Sequence, residues 1–227
     1  MEIRADSFRR ISLLITIAFL LGARPGNAQT LDTSLVAEDL RPANEVILDH
    51  ESAAENPKGI TNEQRLRWFI EKTIGPRSLV AGIASAGIGT GLGRPREYGA
   101  TGHGFDRRYE MRLAGLSTGN AMEATLGAIW GEDPRYHRVP NEPFGGRVRN
   151  IVKMTFVACR NDGSFSPAYA RYIGISGSNF LANSWRAHSE ANFHDAVLRT
   201  FIGFLGRMGS NTVQEFWPDV KRRIFPE

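Results

Sequence analysis

The stretch that decides the fold is Ser78 to Gly93, SLVAGIASAGIGTGLG, sixteen residues without a charge. Ala81, Ser85, Gly89 and Gly93 fall four apart, so in a helix they line one narrow stripe on which another backbone can approach closely. Glycine inside a helix costs ~1 kcal/mol relative to alanine, so something must press on that stripe to offset the cost. Leu79, Val80, Ile83, Ile88 and Leu92 carry more aliphatic surface than a glycine-rich loop does. The segment therefore reads as a helix, and the chain around it reads as a bundle.

Downstream, the same pattern returns. Ala170, Gly174, Ser178 and Ala182 repeat the four-apart stripe, and Pro167 precedes them much as Pro76 precedes the first run. GLSTGN (Gly115 to Asn120) matches GRMGSN (Gly206 to Asn211), and each match lies on a long helical pattern that ends in a tryptophan followed by Asp-Pro or Pro-Asp. This suggests two copies of a helix pair, 76–138 and 166–224. The eight stripe residues are the expected helix-packing positions, with the two stripes facing each other. Gly89→Leu and Gly174→Leu are then expected to overpack the centre.

Around these pairs, further helices are expected. Thr61 and Gln64 fit a capping box before Leu66, Phe69, Ile70 and Ile74, and Gly75-Pro76 stops that helix. A long helix is expected from Phe105 to Trp130. Another runs from Gly146 to Ala158, with Val148, Ile151, Val152, Thr155 and Phe156 on its buried side, before the turn signal Asn161-Asp162-Gly163. No segment alternates apolar and polar residues as strands do, so the expected fold class is mainly α, a small-residue-rich helical bundle with no substantial sheet.

The front of the chain reads as an address. Arg4, Arg9 and Arg10 precede the twelve-residue apolar run Ile11 to Gly22, and Gly26 and Ala28 place small residues at a cleavage site. That run is short of the ~20 apolar residues that span a bilayer. Residues 1–28 are thus expected to be a signal peptide, and the protein to be exported to the periplasm or outer envelope. Residues 29–60, with seven acids between Asp32 and Glu55, have the composition of a flexible acidic linker, leaving 61–227 as the helical domain.

The whole 227-residue chain has a formal charge of +4, and the expected cleavage lowers it to +2, because the signal holds four arginines against two acids. Arg107, Arg108, Arg147, Arg149, Arg171 and Lys221-Arg222-Arg223 are candidates for a face toward anionic lipid, with Trp130, Trp185 and Trp217 as anchors. Export argues against nucleic acid as the partner. Small-residue helices also suggest self-association. Four ordinary membrane spans are not expected, because Glu123, Arg199 and Arg207 fall within the helices that would cross. An integral small-residue bundle is the alternative.

Candidate chemistry is thin. Glu190 and His194 share a face at i, i+4 if 190–195 is helical, offering two ligands to a metal, which is too few for a closed site. The HExxH pattern, the G-x-S-x-G elbow and the phosphate-loop lysine are missing, so no cofactor is expected. The single Cys159 can close no internal disulfide and follows an apolar helix face. Glu123, amid apolar neighbours, needs a cationic partner, and Arg199 or Arg207 on the matching helix is expected to provide it. This pair reads as structural, and a metal-dependent or other hydrolase built on 188–195 is the enzymatic alternative.

The strings WGEDPRYHR (130–138), TFVACRNDGSFSPAYARYIG (155–174), SNFLANSW (178–185) and EFWPDVKRR (215–223) resemble a family of exported bacterial helical proteins with no established activity. The resemblance covers most of 61–227 and implies export and a helical domain, with no catalytic residue to carry over. A non-enzymatic envelope module, held to a membrane surface or a partner protein, is the function these readings suggest.

Overall fold

The structure is a computed structural model that describes residues 59–225, all within one compact unit beginning at Lys58. The expected signal at 1–28 and the acidic linker, Gly59 and Ile60 apart, lie outside the described residues. The elements in chain order are α1 (Asn62–Ile74), α2 (Pro76–Gly91), α3 (Gly102–Trp130), β1 (Glu132–Asp133), α4 (Phe144–Phe156), β2 (Val157–Arg160), β3 (Phe165–Pro167), α5 (Tyr169–Leu181) and α6 (Phe193–Ile224). Short 3-10 turns at Arg96–Tyr98, Ala182–Ser184 and His188–Glu190 bridge the helix pairs. The fold is mainly α with no substantial sheet.

Local chemistry sets the ends. Thr61 Oγ1 accepts from the Gln64 amide at 3.2 Å while Gln64 Oε1 accepts from the Thr61 amide at 3.2 Å, completing a capping box for α1. Pro76 then opens α2 at its first turn, where the missing N–H costs nothing. Thr101 caps α3, so that helix starts three residues before the expected Phe105, and Gly131, at φ +71°, ends it in the left-handed region. The helix expected to run to Ala158 stops at Phe156. Val157 to Arg160 instead pairs antiparallel with both β1 and β3, through a turn at Asp162-Gly163 where φ at Gly163 is +81°.

The two stripes do not face each other. α5 lies between α3 and α6, and its small face rests on α3. A Cβ on Gly174 would sit 2.8 Å from the Gly119 carbonyl oxygen, and one on Gly119 would sit 2.9 Å from Ser178 Oγ, so two backbones meet there without side chains between them. Ala170 and Ala182 are buried in line with them. On α2, by contrast, Ala81 and Ser85 are exposed, and Gly82 and Ala86, one position on, are the buried residues. Gly82 packs on Tyr109 and Arg112 of α3, and Gly89 on the Arg108 side chain. Gly93 lies past the helix end, at φ +60°. The expected stripe on α2 is displaced by a residue because α3 approaches that helix from one side only.

Paired hydrogen bonds relate the two halves. Arg108 Nε and Nη1 donate to the carbonyls of Arg94 and Gly99, and Nη1 also to Thr90 Oγ1. Arg199, 91 residues later, donates through Nη1 to the Glu190 carbonyl and through Nη2 to Asn183 Oδ1. Asn120 Nδ2 donates to Thr73 Oγ1 at 3.1 Å, and Asn211 Nδ2 to Thr155 Oγ1 at 3.1 Å. Thr73 lies on α1 and Thr155 on α4, each helix thirteen residues long. These hydrogen bonds thus fall at corresponding places in α1–α3 and in α4–α6.

Burial runs against the usual pattern. The core contains alanines, Met111, Met154, Ile151 and Trp68, together with Arg65, Arg108, Glu123, Arg171, Asn211 and Glu215. Large apolar side chains point outward. On α1, Leu66, Ile70 and Ile74 are exposed while Arg65, Trp68 and Thr73 are buried; on α4, Val148, Val152 and Phe156 are exposed while Ile151, Met154 and Thr155 are buried. The side of α4 expected to be buried is thus partly on the outside, and the apolar positions of α1 are outside with it.

Candidate functional site

The buried polar groups gather in a network between α3, α5 and α6. Glu123, in the middle of α3, is reached by two arginines. Arg171 Nε lies 2.9 Å from Glu123 Oε1, and Arg207 Nη2 lies 2.5 Å from the same oxygen. The spare donors are used as well: Arg171 Nη1 donates to the carbonyls of Met154 and Thr155 at 2.6 and 3.1 Å, and Arg207 Nη2 to that of Pro134 at 2.8 Å. Arg207 also lies over the Trp68 ring, 5.6 Å from its centroid. Burial pulls the Arg207 pKa down, and Glu123 opposes that shift. Removing two cations and a carboxylate from water is costly, and only this many hydrogen bonds makes it tolerable.

Two further carboxylates extend the network from β1. Glu132 Oε2 accepts from the Ala170 amide at 3.0 Å, placing a negative charge at the N-terminus of α5. Asp133 takes the Arg135 guanidinium on both oxygens, at 3.0 Å from Nε and 2.7 Å from Nη2. Burial alone would raise the Asp133 pKa, but the hydrogen bonds from His137 and Arg135 hold it well below the usual carboxylate range. The Asp-Pro turn after Trp130 is thus a clamp at the end of α3. The cleft lined by Glu123, Glu132, Asp133 and Arg171 is too tight to admit a small-molecule ligand.

A second cluster is centred on Glu215 of α6, which is fully buried. Arg147 Nε donates to Oε1 at 2.8 Å and the Tyr136 hydroxyl to Oε2 at 2.7 Å, while Arg147 Nη1 pairs with Asp219 at 2.6 Å. Burial, followed by the facing Glu215, pushes the Tyr136 hydroxyl above its ordinary pKa. The segment 132–139, irregular apart from its first two residues, is fixed in this way to both halves of the molecule.

Several expected positions are corrected by this geometry. Arg207 reaches Glu123 but Arg199 does not, because it lies two helical turns earlier on α6 and is occupied by Asn179, Asn183 and Glu190 at the loop. Arg171, expected on a basic face, is the second partner of Glu123. Arg108 and Arg147 also turn inward, leaving Arg149 and the exposed tail residues Lys221 and Arg223 outside. Trp130 and Trp217 are exposed and Trp185 is half-buried. Cys159 is buried, and burial raises its thiol pKa.

Glu190 and His194 do not share a helix face. Glu190 ends a 3-10 turn and pairs with Arg186 at 3.1 Å, whereas α6 begins at Phe193 and His194 points into solvent, with Asp195 3.6 Å away. Among the described residues no group of three or more His, Cys, Asp or Glu side chains is placed to hold a metal ion.

Sequence reasoning missed Arg171, Glu215, and the asparagines Asn120 and Asn211. The asparagines carried a signal: each closes one of the matched strings GLSTGN and GRMGSN. Comparison of the chain with family models, with curated proteins and with solved structures gives no match.

Proposed function

We propose that this protein is an exported, non-enzymatic module of the cell envelope that rests on a membrane surface through the outer face of α6. One observation carries the reading: Leu198, Phe201, Ile202 and Leu205, which share one side of that helix, are all at least half exposed along its first half. Singly exposed apolar residues are ordinary, but a contiguous apolar face marks an interaction surface. Transferring one such side chain out of water is worth ~1.5–3 kcal/mol when complete, so partial burial of four supplies enough for reversible adsorption. Lys221 and Arg223, exposed at the far end of the helix, add ~1 kcal/mol each near an anionic surface. Among the described residues no helix is long and apolar enough to cross a membrane, which favours lying on the bilayer over spanning it as an α-helical bundle. The saturation of Glu123 and Asp133 by arginines favours a structural use of the buried charges over a catalytic one.

Flotation of the purified mature chain with vesicles tests this. The chain is expected to rise with vesicles containing anionic lipid, to rise less in high salt, and to stay at the bottom after Phe201→Asp with Leu205→Asp, with helix content unchanged. Wild-type protein that stays at the bottom with anionic and neutral vesicles alike would refute the membrane role.

A further inference from the structure

The geometry points to Lys72 of α1 as a covalent carrier for a small aldehyde that bears a carboxylate, held as an imine and met by the Ser210 hydroxyl of α6. The chain has four lysines, Lys58, Lys72, Lys153 and Lys221, among its 28 basic residues. Elsewhere among the described residues the cations taken out of water are arginines: Arg65, Arg108 and Arg171 are buried, and Arg147 and Arg207 nearly so. A guanidinium keeps its charge in that setting, whereas an amine can give up its proton and become a nucleophile. Lys153 and Lys221 are exposed, and Lys153 has its amine 3.7 Å from the Phe165 ring centroid. Lys72 is half-buried and reaches from α1 to α6. Among the described residues no carboxylate pairs with it. Arg207 is the strongest charge acting on it, ahead of Glu71 on its own helix, Arg77 on α2 and Glu123 on α3. Burial and then Arg207 pull its pKa down to about 8.

Ser210 is set differently from the hydroxyls beside it. Thr200 and Thr212 donate back to the Ala196 and Met208 carbonyls of the same helix. Ser210 Oγ instead accepts from Lys72 Nζ and from Gln214 Nε2, each at 3.4 Å, so both of its lone pairs are engaged and its proton is left for an incoming oxygen. Gly206, one turn earlier on the same side of α6, has open space where a Cβ would stand, which lets a small molecule come up beside the amine. The step balances without a further reagent. The Nζ lone pair forms a bond to the aldehyde carbon, and the carbonyl oxygen, hydrogen-bonded by Ser210, leaves as water with both protons of the neutral amine. Arg207 as the dominant neighbouring charge favours an aldehyde that carries a carboxylate. The product stays on the chain, so a carrier agrees with a non-enzymatic module, and because it needs no lipid it goes beyond the membrane reading.

Reductive trapping tests this in the full mature chain, in vesicle-free buffer near neutral pH. The chain is incubated with glyoxylate and cyanoborohydride, which reduces an imine to a stable secondary amine, and the labelled lysines are mapped by peptide mass spectrometry. Lys72 is expected to be labelled at least ~10-fold faster than Lys153 and Lys221, because each unit of pKa changes the neutral fraction about tenfold. Its lead over Lys221 is expected to shrink with acetaldehyde, which has no carboxylate. Ser210→Ala is expected to slow labelling of Lys72 several-fold, with thermal melts and the labelling of Lys221 unchanged. Equal rates at Lys72 and the exposed lysines with glyoxylate overturn the carrier. An equal lead with acetaldehyde overturns the carboxylate, and an unchanged rate in Ser210→Ala overturns the part given to that hydroxyl. Flotation is read separately: a chain that is labelled at Lys72 without floating loses only the membrane role, and one that floats without that label loses only the carrier.

Discussion

α2 and α5 carry nearly the same spaced pattern of small residues, yet one helix buries it and the other displays it. On α5, Gly174 meets the Gly119 backbone and no larger residue fits. On α2, Ala81 and Ser85 face outward and the contact falls to Gly82 and Ala86. Spacing in a sequence thus specifies that a face can be approached closely, but how many neighbours a helix has decides whether it is. α5 has a long helix on either side of it, and α2 has one.

The largest effect should come from removing what ties α5 into place. Glu123→Leu strips the shared anion from Arg171 and Arg207, leaving both buried cations unpaired, and is expected to cost ~3–5 kcal/mol in chemical denaturation. Arg112 gives α2 one long 3.4 Å hydrogen bond, to the Ser78 carbonyl, so Arg112→Leu should cost far less. Equal losses would erase the contrast.

A step lower, Asn120→Ala and Asn211→Ala each leave a buried threonine without its side-chain donor, at ~1–3 kcal/mol. If the two halves are built alike, the two penalties should match within the error of the measurement. Lys72 provides a pH-dependent test. Burial, then the nearby Arg207, pulls its pKa down to about 8 from the ordinary lysine value of 10.5. Between these values the unfolded chain holds a proton that the folded chain has released, so stability should climb as pH rises through that window. Lys72→Met should flatten the climb. The smallest effect is expected at His194→Ala, which should stay within ~0.5 kcal/mol of wild type, as surface changes do.

The helices were largely legible because their punctuation is strong: Thr61 with Gln64, Gly75-Pro76 and Gly131 mark ends in any context. The orientation of those helices was less so. Reading Val148, Val152 and Phe156 as part of a buried side assumes that apolar stripes point inward. All three are exposed on α4, and on α1 it is Arg65, Trp68 and Thr73 that point inward, where Arg65 donates to the Ala124 carbonyl, Trp68 lies under Arg207 and Thr73 accepts from Asn120. The small sheet was hidden by its length, since β1 is two residues long and cannot show alternation. Glu123 announced itself as a charge among apolar neighbours. Arg171 did not, because its helix looked like a packing stripe and nothing in the spacing says that α4 ends beside it and offers its carbonyls.

The central claim is that one small-residue face is a backbone contact within the chain and the other is not. Urea denaturation of Gly174→Val beside Ala81→Val measures it directly. The account predicts a loss of ~1–3 kcal/mol or more for Gly174→Val, where the new side chain meets the Gly119 carbonyl, and little change for Ala81→Val. Equal losses at both positions, or a larger one at Ala81, would contradict it.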